Sequence, residues 1–137
     1  MLRTHKKPTM RPDNIYMAVS DDDGNTFGPP KRLNIWGYPA QLINLADNRV
    51  LMTYGFRKGT QGVRGCISED GVSWDIKNEF VISLGGDGPR SEPEYWHTGY
   101  PYSAQLADGS IVTGHHVFSQ ADPPVQYVVA TRFGLPY

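Results

Sequence analysis

The side chains in this sequence that could bind or transform a ligand lie in the longer connections between its apolar runs or in the strands next to them. They are aromatic, arginine, histidine and glutamate residues: Trp36, Tyr38, Arg57, Arg64, Glu92, Glu94, Trp96, His97, Tyr100, His115 and His116. Long polar and aromatic loops on one side of a fold, opposite short turns, are typical of a ligand-binding rim. Trp36 and Trp96 are able to stack on sugar rings, and the alternative is that they are buried inside the fold.

Two other features bear on chemistry, a histidine pair and a lone cysteine. His115 and His116 are adjacent in a predicted strand, so their side chains point to opposite faces and do not readily share a metal ion. Cys66 is the only cysteine in the sequence, and its place in an apolar run is typical of a small buried hydrophobic residue. We therefore predict no metal, no cofactor and no internal disulfide.

The composition excludes several classes of function. The chain has 137 residues with 15 glycines and 11 prolines, and it lacks a long stretch of helical periodicity, which predicts short strands and many turns. Its formal net charge of −1 argues against a nucleic-acid partner, which would require a basic face. No apolar run approaches ~18 residues, so we predict no membrane segment. The basic start lacks the apolar region of a signal peptide, and the compartment stays open.

A repeated turn motif organises the chain and positions the residues above. It consists of Ser-x-Asp, a glycine, a hydroxyl residue and an aromatic, and its two copies begin 48 residues apart, which predicts an array of small sheets. The aspartate accepts bonds from turn amides, the glycine takes a positive φ, and the aromatic packs beside the turn. The residues are Ser20, Asp22, Gly24, Thr26 and Phe27 in the first copy and Ser68, Asp70, Gly71, Ser73 and Trp74 in the second. We assign them a structural role.

The apolar runs around these turns predict a series of short strands. They cover residues 14–20, 30–33, 40–45, 50–54, 63–68, 80–82, 102–106, 111–117 and 125–133, within one domain at 14–137. Two predicted hairpin turns, at Asp47 and Asp108, lie 61 residues apart. The hairpin that precedes the turn motif in the chain is therefore repeated as well. Residues 1–13 are basic and contain proline, which predicts a loop or loose arm.

The turn motif resembles the Asp-box (BNR repeat) of sialidase-like β-propellers, and two further segments extend the resemblance. The run from Gly99 to Gly109, Gly-Tyr-Pro-Tyr-Ser-Ala-Gln-Leu-Ala-Asp-Gly, resembles the sialidase segment Gly-Tyr-Ser-x-Leu followed by Asp-Gly. The run from Leu51 to Arg57, followed by Gly62-Val63-Arg64, is similar to bacterial sialidase-like proteins of uncertain substrate. The resemblance covers roughly residues 15–135. It implies an all-β fold, a partial β-propeller of about two to two and a half four-stranded blades that match the later blades of the family.

The resemblance also implies roles for the residues of the rim. In a four-stranded blade the Asp-box turns lie on the side opposite the long connections. Tyr100 would be the nucleophile of a retaining glycosidase, with Glu92 or Glu94 as the base that takes its proton. Arg57 and Arg64 would bind the carboxylate of an anionic sugar, since a planar guanidinium suits that group better than an ammonium. The remaining substrate-binding residues would be Trp36, Tyr38, Trp96 and His97.

Departures from the family pattern leave several functions open. The early arginine and the early acid/base aspartate loop are absent, and His97 stands where related proteins carry an acidic residue, so one copy does not assemble a full glycosidase site. A wedge of this size also exposes an apolar face at each end, which predicts a homodimer or homotrimer that closes a propeller, or missing blades of a longer chain. The alternatives are a non-catalytic carbohydrate-binding or self-assembling module and a truncated gene product without activity.

Overall fold

The fold is built from short antiparallel strands. The computed structural model describes residues 5–6, 11–12, 14–58, 60–85, 99–118 and 125–136. The strands are β1 (His5–Lys6), β2 (Arg11–Pro12), β3 (Asn14–Met17), β4 (Lys31–Trp36), β5 (Ala40–Asn44), β6 (Val50–Phe56), β7 (Gly62–Ser68), β8 (Glu79–Leu84), β9 (Gly99–Gln105), β10 (Ile111–Phe118) and β11 (Gln126–Phe133). Helical structure among the described residues is limited to one 3-10 turn at Ile76–Asn78, and none of it has the length or apolarity needed to cross a membrane. The expectation of an all-β fold is confirmed.

The strands form three larger sheets in which neighbours along the chain pair with each other. β3 pairs with β4, β5 to β8 form a four-stranded sheet in sequence order, and β9 to β11 form a three-stranded sheet. Each strand predicted from the sequence has an observed counterpart, although β3 ends at Met17 rather than at Ser20. β1 and β2 pair as a separate short ladder, within the segment where we expected a loop or arm.

The three sheets stack face to face, with the four-stranded sheet in the middle. Successive residues of β6 enter two different apolar clusters, Met52 and Tyr54 with residues of β3 and β4, and Leu51 with Ile111 of β10. We call the contact with β3–β4 the first seam and the contact with β9–β11 the second seam. Met52, Tyr54 and Leu51 are all fully buried. Since burying one such side chain contributes roughly 1.5–3 kcal/mol, both seams stabilise the fold.

Cys66 lies in the first seam, and the prediction that it is a small buried residue is confirmed. The thiol donates to the carbonyl oxygen of Asp75 at 3.4 Å. Burial raises the pKa of the thiol to about 11, and the negative charge of Glu79 adds to the effect. The thiol is therefore protonated at neutral pH, and only the thiolate is a good nucleophile.

A buried hydroxyl network crosses the second seam and holds β9 against the four-stranded sheet. The Ser103 hydroxyl lies 3.0 Å from the Thr53 hydroxyl and 2.9 Å from the Thr113 hydroxyl. The Gln41 side chain accepts a bond from the Ser103 backbone N–H at 2.5 Å. Because buried polar groups are costly without partners, this network favours one position of β9 relative to β5 and β6.

The two copies of the turn motif, which we call the Asp-box turns after the family motif that they resemble, are closed by bonds within each turn. In the first, the hydroxyl and the backbone N–H of Thr26 donate to the Asp22 carboxylate at 2.6 and 2.8 Å, which lowers the pKa of Asp22 to about 2. In the second, the Asp70 carboxylate accepts a bond from the Ser73 backbone N–H at 2.6 Å, which lowers the pKa of Asp70. Gly71 has a φ of 71°, a conformation that residues with a Cβ rarely adopt.

The aromatic residues of the two Asp-boxes pack differently, which corrects part of the expectation. Trp74 is partly buried against the first seam. Phe27 is 64% exposed, although we expected it to pack beside its turn. Trp74 packs on the cluster that β3 and β4 form with β6 and β7, whereas the described residues ahead of β3 form no comparable sheet. The hydrogen bonds of the first turn therefore form although Phe27 does not pack beside it.

Candidate functional site

Five of the predicted rim residues meet at the strand ends that lie away from the Asp-box turns. β4 begins after the first Asp-box and β7 ends at the second, so the opposite ends of these antiparallel strands form the other side of the fold. The residues there lie in or next to β4, β6, β9 and β10, and they are Trp36, Tyr38, Arg57, Tyr100 and His116. We call these five residues the aromatic–arginine cluster.

Arg57 is the buried charge of the cluster. The residue is 9% exposed, and its guanidinium carbon lies 4.6 Å from the centre of the Tyr38 ring and 5.4 Å from the centre of the Tyr100 ring. A guanidinium within about 6 Å of an aromatic ring centre is attracted by the electrons of the ring. The two tyrosines therefore stabilise the guanidinium in a position where its planar fork could bind a carboxylate.

Tyr100 has an unusual backbone conformation at the edge of the cluster. Its φ is 52°, and the preceding Gly99 is so close to Gly55 that a Cβ at position 99 would lie 2.8 Å from the Gly55 Cα. A positive φ at a bulky residue costs of order 1–3 kcal/mol and is found preferentially at functional sites. The residue is 43% exposed, and its ring stacks on His116 with the centroids 5.1 Å apart. Tyr100 is thus both strained and accessible.

Trp36 extends the cluster with a second aromatic surface. Its ring meets those of Tyr38 and Phe56 edge to face, with centroids 5.9 and 5.5 Å apart. The Lys58 ammonium lies 4.6 Å from the centre of the Trp36 ring. Phe56 and Lys58 were not predicted as site residues, although their position on either side of Arg57 in the sequence was a usable signal. The site therefore holds two cations over aromatic rings.

Arg64 lies in an internal ion pair rather than in the cluster. Its guanidinium donates to Glu79 at 2.5 Å and lies 3.4 Å from the centre of the Phe56 ring. The other Glu79 oxygen accepts a bond from the Tyr54 hydroxyl at 2.5 Å, and burial together with this bond raises the pKa of Tyr54. We expected Arg64 to bind substrate, but this pairing gives it a structural contact in the first seam. Glu79 was not predicted as a partner of Arg64, because the distance between the two residues depends on the register between β7 and β8.

His115 points away from the cluster, as expected for the neighbour of His116 in a strand. It is 2% exposed on the face of β10 that forms the second seam, and neither ring nitrogen has a hydrogen-bond partner among the described residues. Desolvation lowers the pKa of His115, which favours the neutral imidazole. Within the described ranges, no group of three or more histidine, cysteine, aspartate or glutamate residues is placed to hold a metal ion.

Four predicted site residues lie outside the described residues. These are Glu92, Glu94, Trp96 and His97. The assignment of a glutamate as the base for Tyr100, and of Trp96 and His97 as substrate contacts, stays a prediction.

Comparisons with known proteins find a structure of similar fold but do not assign the chain to a family. No family model matches the chain, and no curated protein matches its sequence. A crystal structure of a protein of unknown function from Dyadobacter fermentans DSM 18053 is similar, with a TM-score of 0.69 and 24% sequence identity. The match covers 86% of this chain and 30% of that protein, so the chain spans less than a third of the length of this structural neighbour.

Proposed function

We propose that this chain is part of a sialidase-like β-propeller and that its aromatic–arginine cluster binds an anionic sugar. The fold supports the first half of the proposal through two Asp-box turns, strands that pair in chain order and sheets stacked face to face. Each stacked sheet would be one blade, so that β5–β8 is a complete blade and the whole chain supplies about two to two and a half.

The buried guanidinium of Arg57 carries the proposal of an anionic ligand. It lies near the rings of Tyr38 and Tyr100, and Lys58 adds a second positive charge over Trp36. A charge-assisted bond from arginine to a carboxylate is about twice as strong as a bond between neutral groups. The aromatic surfaces suit the apolar faces of a sugar ring. Together these features favour a sugar acid over a neutral sugar.

In the catalytic form of the proposal, Tyr100 is the nucleophile of a retaining glycosidase. The phenol oxygen would bond to the anomeric carbon as the leaving group departs, and Glu92 or Glu94 would accept the phenol proton. Stacking on His116 holds the Tyr100 ring in place for this attack. The acid/base group absent from this sequence would come from further blades of a longer chain.

The second candidate is a non-catalytic carbohydrate-binding module, and the pairing of Arg64 favours it. Arg64 is paired with Glu79, and Arg57 is the predicted arginine that lies in the aromatic–arginine cluster. Binding a sugar requires fewer groups than stabilising a transition state, because only groups that act more strongly on the transition state accelerate the reaction. One arginine with aromatic platforms is sufficient for a binding site.

A binding experiment with sialic acid and N-acetylglucosamine tests the anionic-sugar proposal. Wild-type protein should prefer the acid, and Arg57→Gln should weaken its binding by about tenfold or more, since one decade corresponds to about 1.4 kcal/mol and a charge-assisted contact is lost. Arg132→Gln is the matched control, because that arginine is exposed and bonds Asp108 at the turn side. Equal affinity for the two sugars, or an Arg57→Gln variant that binds like wild type, would contradict the proposal.

Turnover of a fluorogenic sialoside separates the two candidates. If Tyr100 is the nucleophile, Tyr100→Phe should abolish hydrolysis while sialic acid binding persists, because the ring and its stacking on His116 are kept. Binding without turnover at high protein concentration would show that this chain by itself acts as a carbohydrate-binding module.

A further inference from the structure

Lys58 is not one of the five residues of the aromatic–arginine cluster, yet its charge is held at the same rim. β6 ends at Phe56, so Arg57 and Lys58 follow as consecutive residues of the connection to β7. Lys58 is exposed, and its ammonium lies 4.6 Å from the centre of the Trp36 ring. Among the residues that the structure describes, no ion pair includes Lys58. Its ammonium thus has an aromatic contact but no carboxylate partner in that part of the chain.

The contact with Trp36 restrains the Lys58 side chain before any ligand binds. An ammonium this close to an aromatic ring is attracted by the electrons of the ring. Trp36 is itself held by edge-to-face contacts with Tyr38 and Phe56, at centroid distances of 5.9 and 5.5 Å. A free lysine side chain loses much rotamer freedom when it binds a ligand, and a side chain that is already restrained loses less. Lys58 is therefore a pre-organised cation.

Lys58 and Arg57 approach two different aromatic rings from different directions. The Arg57 guanidinium lies 4.6 Å from the centre of the Tyr38 ring, and the Lys58 ammonium lies at the same distance from the centre of the Trp36 ring. The planes of these two rings are inclined at 75°, and their centres are 5.9 Å apart. The two positive charges also repel each other, which disfavours their convergence on one point. A carboxylate that binds Arg57 therefore leaves Lys58 to bind a second acidic group.

We infer that Lys58, held by Trp36, is a second acid-binding subsite, and that the ligand of this rim is an oligosaccharide with at least two acidic sugar residues. The inference rests on the proposed function, in which Arg57 binds the first carboxylate. The path from the guanidinium through the Tyr38 and Trp36 rings to the ammonium sets the largest separation of the two charges, which is within the length of a short oligosaccharide. Because the two acidic groups belong to one ligand, the second contact is intramolecular and adds to the affinity even when it is weak by itself.

The exposure of Lys58 sets the size of the expected effect. Ion pairs of exposed side chains contribute little, because solvent screens them. Loss of the Lys58 charge should therefore weaken the binding of a ligand with several acidic sugars by about threefold to fivefold. The same loss should matter less for a ligand of equal length with one acidic sugar. This dependence on the number of acidic groups distinguishes a subsite from a general increase in positive charge.

Calorimetric titration with two trisaccharides tests the inference. In α2,8-linked trisialic acid every sugar is acidic, whereas sialyllactose has the same length and a single acidic sugar. Wild-type protein should bind trisialic acid about tenfold more tightly, of which at most about threefold arises because each of its sugars can occupy the Arg57 subsite. Lys58→Gln should lower this preference to about threefold or less. Lys58→Arg keeps the charge and the contact with Trp36, and it should retain the preference.

Lys77→Gln is the matched control, because it removes the same charge from the 3-10 turn that follows the second Asp-box, away from the rim. It should retain the wild-type preference. A wild-type preference of about threefold or less, or equal effects of Lys58→Gln and Lys77→Gln, would overturn the inference. The proposed function would survive either result if Arg57→Gln still weakens the binding of sialyllactose. Wild-type protein that binds neither trisaccharide would instead overturn the proposed function, and the inference with it.

Discussion

The first seam and the second seam cover opposite faces of β6, yet they bury polar groups in different ways. In the first seam, Glu79 is bonded to both Arg64 and Tyr54, so its charge is compensated. In the second seam, Ser103 bonds two neighbouring hydroxyls, whereas His115 has no hydrogen-bond partner among the described residues.

This difference matters because the second seam carries β9, and Tyr100 lies at the start of that strand. A buried polar group without a partner costs about 1–3 kcal/mol. His115 therefore lowers the stability of the second seam, and it is adjacent in the chain to His116 of the aromatic–arginine cluster. We expect the first seam to respond to loss of charge pairing and the second seam to respond to pH.

The largest effect is expected in the first seam from Glu79→Gln. The substitution removes the negative charge that pairs with Arg64 and accepts a hydrogen bond from Tyr54. We expect a loss of about 2 kcal/mol in the free energy of unfolding. This is less than the roughly 3–5 kcal/mol lost when a fully buried pair is broken, because Arg64 is partly exposed. Urea denaturation measures it. Glu69→Gln, at an exposed glutamate, is the control and should change stability by less than about 0.5 kcal/mol. Equal losses for the two variants would show that the ion pair does not stabilise the seam.

A somewhat smaller effect is expected in the second seam from Ser103→Ala. The variant leaves the buried hydroxyls of Thr53 and Thr113 without their shared partner, and we expect a loss of about 1–1.5 kcal/mol in the free energy of unfolding. Thr60→Ala, at an exposed loop residue, is the control. A Ser103→Ala variant as stable as wild type would mean that the apolar contacts alone hold β9 in place.

The smallest effect is a pH dependence that arises at His115. Burial lowers its pKa in the folded state below the ordinary 6.5, so the unfolded chain binds more protons as the pH falls. The stabilisation is therefore present above about pH 6.5 and is lost below it, by at most about 1.4 kcal/mol per pH unit. Unfolding of His115→Phe should lose this part of the dependence, and His116→Phe should retain it. Identical pH profiles for wild type and His115→Phe would exclude His115 as the source.

The predicted strands and turns correspond closely to the structure because they depend on short-range signals. The Asp22 and Thr26 side chains that close the first Asp-box are four residues apart, and the glycine that takes a positive φ at position 71 stands beside Asp70. The exposure of Phe27 was not predictable in the same way. It depends on the absence of a packing surface beside β3–β4 in the described chain, and the turn motif carries no information about that surface.

The two arginines show where prediction from sequence ended. Arg57 and Arg64 were given the same role, binding a sugar carboxylate, because the resemblance to a known family implied it for both. In the structure Arg57 enters the aromatic–arginine cluster, and Arg64 pairs with a glutamate 15 residues further along the chain. A change of one position in the register of β7 and β8 would place different residues opposite each other, and the sequence pattern does not specify that register at the bulge.

The sequence by itself determined the all-β fold, the order of the strands and the chemistry of the turns, because each follows from residues a few positions apart. Only the tertiary structure decided which arginine lies near both Tyr38 and Tyr100, and how Tyr100 is strained against its neighbours. These outcomes depend on contacts between residues tens of positions apart, such as Arg57 with Tyr100 and Gly55 with Gly99, and they form only when the sheets stack.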